Sequence, residues 1–242
     1  MLSSLAIVLF YLIAGFPAAL IGLPWTLLRQ DISLLYSWAM RITNTGLKIG
    51  GIRIDVSGRE RLDPKQRYIF MSNHVSNLDP PVLLPLLPGR TSVFLKRSLM
   101  KIPVLGYAMG LGDFVPVDRD GRVESAKQSV EKARQVMESG LHITSFVEGT
   151  RSRDGRLLPF KKGPFYLAME TGNPVAPISI WGTEDMMKKG SMSITPGTAH
   201  VVFHAPLWPR DYATREELMA AVRESIASSL PRWTRGDAAL RD

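Results

Sequence analysis

A histidine and an aspartate stand five positions apart in Asn73-His74-Val75-Ser76-Asn77-Leu78-Asp79. A neutral imidazole can take a proton from a hydroxyl, while a carboxylate on its other ring nitrogen holds the tautomer and steadies the developing charge. The spacing alone also suits a surface histidine beside a helix-capping aspartate. Its weight therefore depends on what accompanies it. Further along comes Phe146-Val147-Glu148-Gly149-Thr150-Arg151-Ser152. Here Gly149 lets the backbone turn closely, Thr150 offers a hydroxyl and an amide, and Arg151 brings a planar guanidinium suited to phosphate. Between the two lies Gly112-Asp113-Phe114-Val115-Pro116-Val117-Asp118-Arg119, an extended stretch that ends in a second arginine.

The surrounding pattern says what must position these groups. Arg67 to Met71 reads as a short buried strand, and Leu78-Asp79-Pro80-Pro81 as the start of a helix. His74 then sits at a strand-to-helix junction, a common position for reactive side chains. Leu141 to Val147 is another strand, left by Glu148 as a tight polar loop. Ile52, Ile54 and Val56 alternate with polar residues between Gly51 and Gly58, and Ser92 to Leu95 makes a further strand. Val82 to Leu87 continues a helix ended by Pro88-Gly89. Val123, Ala126, Val130, Ala133 and Met137 line one face of a helix ended by Gly140. Gly163 to Glu170 predicts a helix, Pro174 to Ile180 a strand bracketed by prolines, and Ser191–Thr195 with Thr198–His204 a strand pair turning at Pro196-Gly197. Thr214-Arg215-Glu216-Glu217 is a capping-box start for a last helix that buries Leu218, Val222 and Ile226. Alternating strands and helices imply an α/β fold with a mostly parallel or mixed sheet flanked by helices.

The ordered set of motifs resembles the glycerolipid acyltransferase family, specifically its 1-acylglycerol-3-phosphate acyltransferases (PlsC-type). Four blocks carry the resemblance: Asn73-His74-x4-Asp79-Pro80, Gly112 to Arg119, Glu148-Gly149-Thr150-Arg151-Ser152, and Val175-Ala176-Pro177-Ile178. It covers roughly residues 50–210. In the second block one extra residue stands between the glycine and the Asp-Arg end. The resemblance implies an α/β acyltransferase domain, here 50–242, with an N-terminal two-helix membrane-associated element in 1–49. It also implies acyl transfer from acyl-CoA or acyl-carrier protein, as co-substrate, to the sn-2 hydroxyl of lysophosphatidic acid. His74 and Asp79 would be catalytic. Arg119 and Arg151 would clamp the phosphate, Glu148 would fix an arginine or a glycerol hydroxyl, and Gly149, Thr150 and Lys96 would complete the substrate site.

Composition narrows the partners. The chain has 242 residues, no cysteine and a formal net charge of +8. Disulfides, thiolate catalysis and cysteine zinc sites are excluded. The surplus suits anionic partners such as phosphorylated metabolites or an anionic membrane surface, and no nucleic-acid-binding motif is visible. Residues 1–28 carry no ionisable side chain before Arg29. As one helix they would run about 42 Å, against about 30 Å for a bilayer core. Pro17 and Pro24, with Gly15 and Gly22, predict a kink or break, so a re-entrant or in-plane hairpin competes with a clean span. Leu34, Leu35, Trp38 and Ile42 recur at helical spacing, with Trp38 suited to a membrane interface. If the first segment spans, Arg29, Arg41 and Lys48 put the globular part on the cytoplasmic side, in a bacterial-type inner membrane.

Rival chemistry is thinner. Ser72 and Ser76 are conceivable nucleophiles for a hydrolase, yet neither lies in Gly-x-Ser-x-Gly. His142, His200 and His204 lack metal-ligand spacing, so no metal is expected. Asp113 and Asp118 read as loop and capping residues, Asp118 beside Arg119. Lys162 could add positive charge, and Leu83, Leu84, Leu86, Leu99 and Leu105 suit either an acyl tunnel or the core. Other acceptors, such as glycerol-3-phosphate or another lysophospholipid, and a non-catalytic lipid-binding role remain open at this level.

Overall fold

Pro17 and Pro24 do not break the N-terminal apolar run. The computed structural model describes residues 2–118, 122–152, 154–187 and 193–234. In it the run is one helix, α1 (Leu2–Arg29), with both prolines inside. Each proline removes only its own amide donor, and the other peptide groups of so apolar a segment find partners only in the helix ladder. The reversal comes instead at Gln30 (φ 52°), where the Asp31 carboxylate accepts from the Ser33 amide at 2.9 Å. The chain returns as α2 (Ser33–Ile49). The two helices pack so closely that a Cβ on Gly22 would lie 2.7 Å from Leu35, and one on Gly46 2.6 Å from the Tyr11 hydroxyl.

The remaining elements are β1 (Ile52–Ser57), β2 (Ile69–Ser72), α3 (Asp79–Leu83), β3 (Thr91–Lys96), α4 (Leu105–Leu111), β4 (Val115–Val117), α5 (Val123–Glu138) and β5 (His142–Phe146). They continue with α6 (Gly163–Thr171), β6 (Val175–Trp181), α7 (Thr183–Met186), β7 (Gly197–Phe203) and α8 (Arg215–Ser229). The strands form a seven-stranded sheet in the order β1-β7-β6-β2-β5-β3-β4. β6, β2, β5, β3 and β4 run parallel, β7 is antiparallel to β6, and β1 is parallel to β7. The fold is therefore a mixed α/β sheet flanked by helices, as the alternating pattern implies.

Side-chain alternation along the central strands feeds two cores. Phe70, Ile178 and Val201 join Leu47 of α2 and Leu83 of α3 on one face. Ile69, Met71 and Ile143 point the other way, onto Ala133 of α5, Phe165 of α6 and Ile226 of α8. All four residues of β2 are buried, because β5 and β6 flank it and helices cover both faces. Thr214 caps α8 as expected, its hydroxyl accepting from the Glu217 amide at 3.2 Å, while the Glu217 carboxylate takes the Ala213 amide at 2.9 Å.

Two expectations need correction. Ser193–Pro196 form no strand, and Ser191 and Met192 lie outside the described residues. β7 already has β1 on one edge and β6 on the other, so a hairpin partner has no edge left to occupy. The segment before β4 is also not simply extended: α4 and a turn with Asp113 at φ 60° precede a three-residue strand.

Candidate active site

Parallel β2, β5 and β3 end along one edge of the sheet, with Ser72 opposite Phe146 in register. At the end of β2 the backbone leaves the sheet, and the Asn73 side chain takes over its hydrogen bonding. Its Nδ2 donates to the Ile180 carbonyl and its Oδ1 accepts from the Ile180 amide, both at 2.8 Å. The next residue is thereby aimed off the strand end.

His74 meets Asp79 as the spacing predicts, with Nδ1 and Oδ2 2.8 Å apart. The same carboxylate oxygen accepts from the amides of Val75 and Ser76, at 2.7 and 2.8 Å, and the Thr183 hydroxyl donates to Oδ1. The Asp79 side chain is fully buried, whereas the His74 side chain keeps 15% of its surface. With Nδ1–H directed at the carboxylate, Nε2 is the nitrogen left to accept a proton. The Phe146 ring lies 4.4 Å from the imidazole, centroid to centroid, and confines it further.

Glu148 behaves differently from the expectation that it would hold an arginine or a glycerol hydroxyl. It is 2% exposed, and its two oxygens accept from the backbone amides of His74 and Leu158, each at 2.7 Å. Burial pushes its carboxyl up to about 7; the two amides favour the charged form, nearby Asp79 disfavours it, and Arg223 favours it again. Arg223 on α8 donates to the carbonyls of Leu158 and Leu157, at 2.9 and 3.3 Å, and so holds the strap that supplies one of those amides. Sequence reasoning missed Arg223 and Thr183, since each reaches the site from a distant element.

The Gly149 loop sits against the same histidine. Gly149 has φ 66° and lies close enough to Lys161 that a Cβ would stand 3.0 Å from its Cγ. Thr150 is exposed, Arg151 is half-buried, and the Ser152 amide donates to the His74 carbonyl at 2.9 Å. The His74 peptide is thus clamped on both sides by one loop, and Arg151 adjoins that clamp. The amides of His74, Val75, Ser76 and Gly149 all have acceptors within the protein, so none of the four is left to donate to a developing oxyanion.

The remaining expected groups are more dispersed. Lys96 is exposed at the end of β3, two strands from β2 on the same sheet edge. Arg119 lies outside the described residues, and its neighbour Asp118 accepts from Arg97 Nε at 2.7 Å. The Ser76 hydroxyl donates to the Met187 carbonyl and that of Ser72 to the Asn73 carbonyl, so both are engaged away from the imidazole. His142 accepts the Tyr68 amide on Nδ1, His204 meets the Ser179 hydroxyl, and His200 meets Asp55. Among the described residues no cluster of three or more His, Cys, Asp or Glu could hold a metal ion. Leu83 belongs to the core, Leu84 and Leu86 pack against it, and Leu99 and Leu105 are exposed around α4.

A family model described as "Acyltransferase" matches residues 53–181. The 1-acyl-sn-glycerol-3-phosphate acyltransferase of Limnanthes douglasii is 33% identical over 228 residues, which span 93% of this chain and 80% of that protein. The human 1-acyl-sn-glycerol-3-phosphate acyltransferase alpha is 32% identical over 170 residues, 70% of this chain and 60% of that one. Among solved structures, the crystal structure of the 1-acyl-sn-glycerophosphate acyltransferase PlsC from Thermotoga maritima superposes with a TM-score of 0.75 at 28% identity, covering 92% of each chain.

Proposed function

The chain belongs to the acyltransferase family, and from that premise we propose that it moves a fatty acyl group from a thioester to the free sn-2 hydroxyl of lysophosphatidic acid, giving phosphatidic acid. The observation that carries this reading is the sealed His74–Asp79 pair, 2.8 Å apart, tied through the His74 backbone to the loop that bears Arg151.

In the proposed reaction His74 Nε2 takes the hydroxyl proton as that oxygen attacks the thioester carbonyl. Asp79 holds the ring and stabilises the imidazolium. The tetrahedral intermediate then expels the thiolate, which recovers the proton from His74. General-base action of this kind contributes about 10²–10⁴-fold in rate. The acceptor hydroxyl is itself the nucleophile, which agrees with the engagement of Ser72 and Ser76 elsewhere. Arg151 and Arg119 would hold the phosphate, with Thr150 and Lys96 nearby, and Gly149 would keep the loop tight. The donor would be acyl-CoA or acyl-carrier protein.

The substrate calls for a membrane-associated enzyme. α1 supports this, since Leu12, Ile13, Phe16, Leu20 and Leu28 are exposed on a helix with 24 residues (Ala6–Arg29) long and apolar enough to cross a bilayer. The cytoplasmic side is the proposed place for the globular part, since the chain's net charge of +8 suits an anionic leaflet. The test is purified protein with lysophosphatidic acid and either donor, beside His74→Ala and a monoacylglycerol acceptor. Phosphatidic acid from the wild type alone, with the phosphate-free acceptor much poorer, is expected. Equal product from His74→Ala, or equal use of the phosphate-free acceptor, overturns the base or the clamp respectively.

A further inference from the structure

Between β3 and α4 the chain makes a 3₁₀ turn (Arg97–Lys101) and then exposes large apolar side chains in quick succession. Ile102, Val104, Leu105 and Tyr107 are 41, 56, 48 and 53% exposed. Ile102, Val104 and Tyr107, with Met100 and Leu111, border an open hollow of about 440 Å³. Scattered apolar residues on a surface need no explanation, but a contiguous cluster of this kind marks a contact with something apolar.

The backbone beneath the cluster is strained. Val104 adopts φ 63°, ψ −58°, and the Leu105 amide donates to the Pro103 carbonyl at 2.6 Å. This is the rarer, positive-φ form of γ-turn, and a β-branched residue is among the least suited to it. The strain secures no burial, because Val104 is the most exposed member of the cluster. Strain of this sort persists at functional contacts.

Two further observations indicate what covers the patch. Lys96 and Lys101 are exposed alongside it, with Arg97 bridged to Asp118, so an apolar tip is flanked by positive charge. At the other end of α4, Leu111 shares a polar cavity with Thr26 and Leu27 of α1. The far end of α4 therefore adjoins the end of α1 where Ile21, Trp25 and Leu28 are exposed. Apolar residues flanked by lysine and arginine, and joined through α4 to the end of an apolar helix, match the boundary between head groups and acyl chains.

We infer that the 97–107 segment is a second membrane contact, separate from the α1–α2 hairpin, that inserts its apolar tip into an anionic bilayer. β3 ends on the same sheet edge as β2, so seating this tip holds the His74 edge against the lipid surface. A lysophospholipid would then reach the base without leaving the membrane. The inference rests on the proposed lipid acceptor only for that last consequence.

The chain has no cysteine, so Tyr107→Cys, and Glu224→Cys on α8 as control, each take one environment-sensitive fluorophore. With phosphatidylglycerol vesicles the label at 107 should shift to shorter wavelength and be quenched by brominated acyl chains, while the label at 224 should do neither. Ile102→Gln with Val104→Gln should lower turnover of vesicle-borne long-chain lysophosphatidic acid about tenfold or more. Turnover of a water-soluble short-chain analogue should stay within about twofold. A label at 107 indifferent to vesicles overturns the inference. So does an equal loss on both substrates, which would give the hollow to the donor's acyl chain, or a spectral shift that follows protein concentration without lipid, which would give it to a second copy. If the wild type turns over neither substrate while the label at 107 still inserts, the proposed reaction fails and the membrane contact stands.

Discussion

Glu148 touches His74 through the peptide backbone: carboxylate Oε1 accepts the His74 amide at 2.7 Å, while Oε2 accepts the amide of Leu158. The acid of the Glu148-Gly149-Thr150-Arg151 loop thus sets where the imidazole stands and leaves none of its oxygens facing an open cleft. Ser152 completes the arrangement by donating to the His74 carbonyl. One loop therefore fixes both polar atoms of the peptide that carries the proposed base.

Glu148→Gln should lower kcat and leave KM for the acceptor nearly unchanged. A glutamine presents one acceptor oxygen and one NH₂, so one of the two buried amides loses its partner. An unsatisfied buried donor costs about 1–3 kcal/mol, which corresponds to roughly 5- to 150-fold if expressed in the positioning of His74. A rise in KM with intact kcat would instead assign Glu148 to the substrate.

Asp79→Asn should be as damaging as His74→Ala, about 10²–10⁴-fold in kcat. Oδ2 must accept from the His74 ring and two amides while Oδ1 takes the Thr183 hydroxyl, and an amide side chain cannot accept on both sides. Thr183→Val isolates one of these bonds and should cost about tenfold or less, consistent with about 1 kcal/mol for a single hydrogen bond. Steady-state kinetics on the three variants, with circular dichroism to check folding, decides the ranking.

The pH dependence of stability should contain two opposing contributions. Burial raises the Glu148 carboxyl from 4.5 to about 7, so its contribution is fully present below about 4.5 and is lost as pH rises through 7. Burial, with Arg61 nearby, lowers His204 from 6.5 to about 4, so its contribution is fully present above 6.5 and is lost as pH falls toward 4. Between about pH 4.5 and 6.5 the two oppose each other. His204→Gln should leave a melting temperature that falls with rising pH, and Glu148→Gln one that rises. Thermal unfolding of detergent-solubilised protein at several pH values reads both slopes, and parallel slopes in the two variants would contradict the assignment.

The parts of this architecture legible in the sequence are those whose determinants are local. His74 and Asp79 lie in one loop, so their spacing alone suggests the contact, and the buried strands at Ile69–Ser72 and Val175–Trp181 announce themselves as apolar runs. Thr183 reaches Asp79 across 104 positions and Arg223 reaches the Leu158 strap across 65, and no local pattern encodes either. The direction of Glu148 was illegible for a related reason. A sequence gives the identity of an acid but not the backbone amides that will surround it. The strand expected before Gly197 failed because pairing edges are a property of the assembled sheet. The unbroken α1 shows the reverse, a local proline signal overridden by the lack of any other partner for the neighbouring peptide groups.

Arg223 offers the sharpest separation of positioning from binding. It lies on α8, donates to the carbonyls of Leu157 and Leu158, and its charge helps hold the Glu148 carboxyl down against burial. Arg223→Met removes both effects. The strap loosens, Glu148 rises further above its ordinary value, and a higher pH is then needed before both backbone amides have a carboxylate to meet. The acid limb of the kcat/KM profile should therefore move to higher pH, while activity at alkaline pH recovers most of the wild-type value. Arg223→Lys keeps the charge but not the two-pronged geometry, so it should shift the limb less while losing more at alkaline pH than its charge alone would suggest. A uniform loss at every pH in both variants would reduce Arg223 to a packing residue. A limb displaced only in Arg223→Met would tie α8 to the proposed base through Glu148.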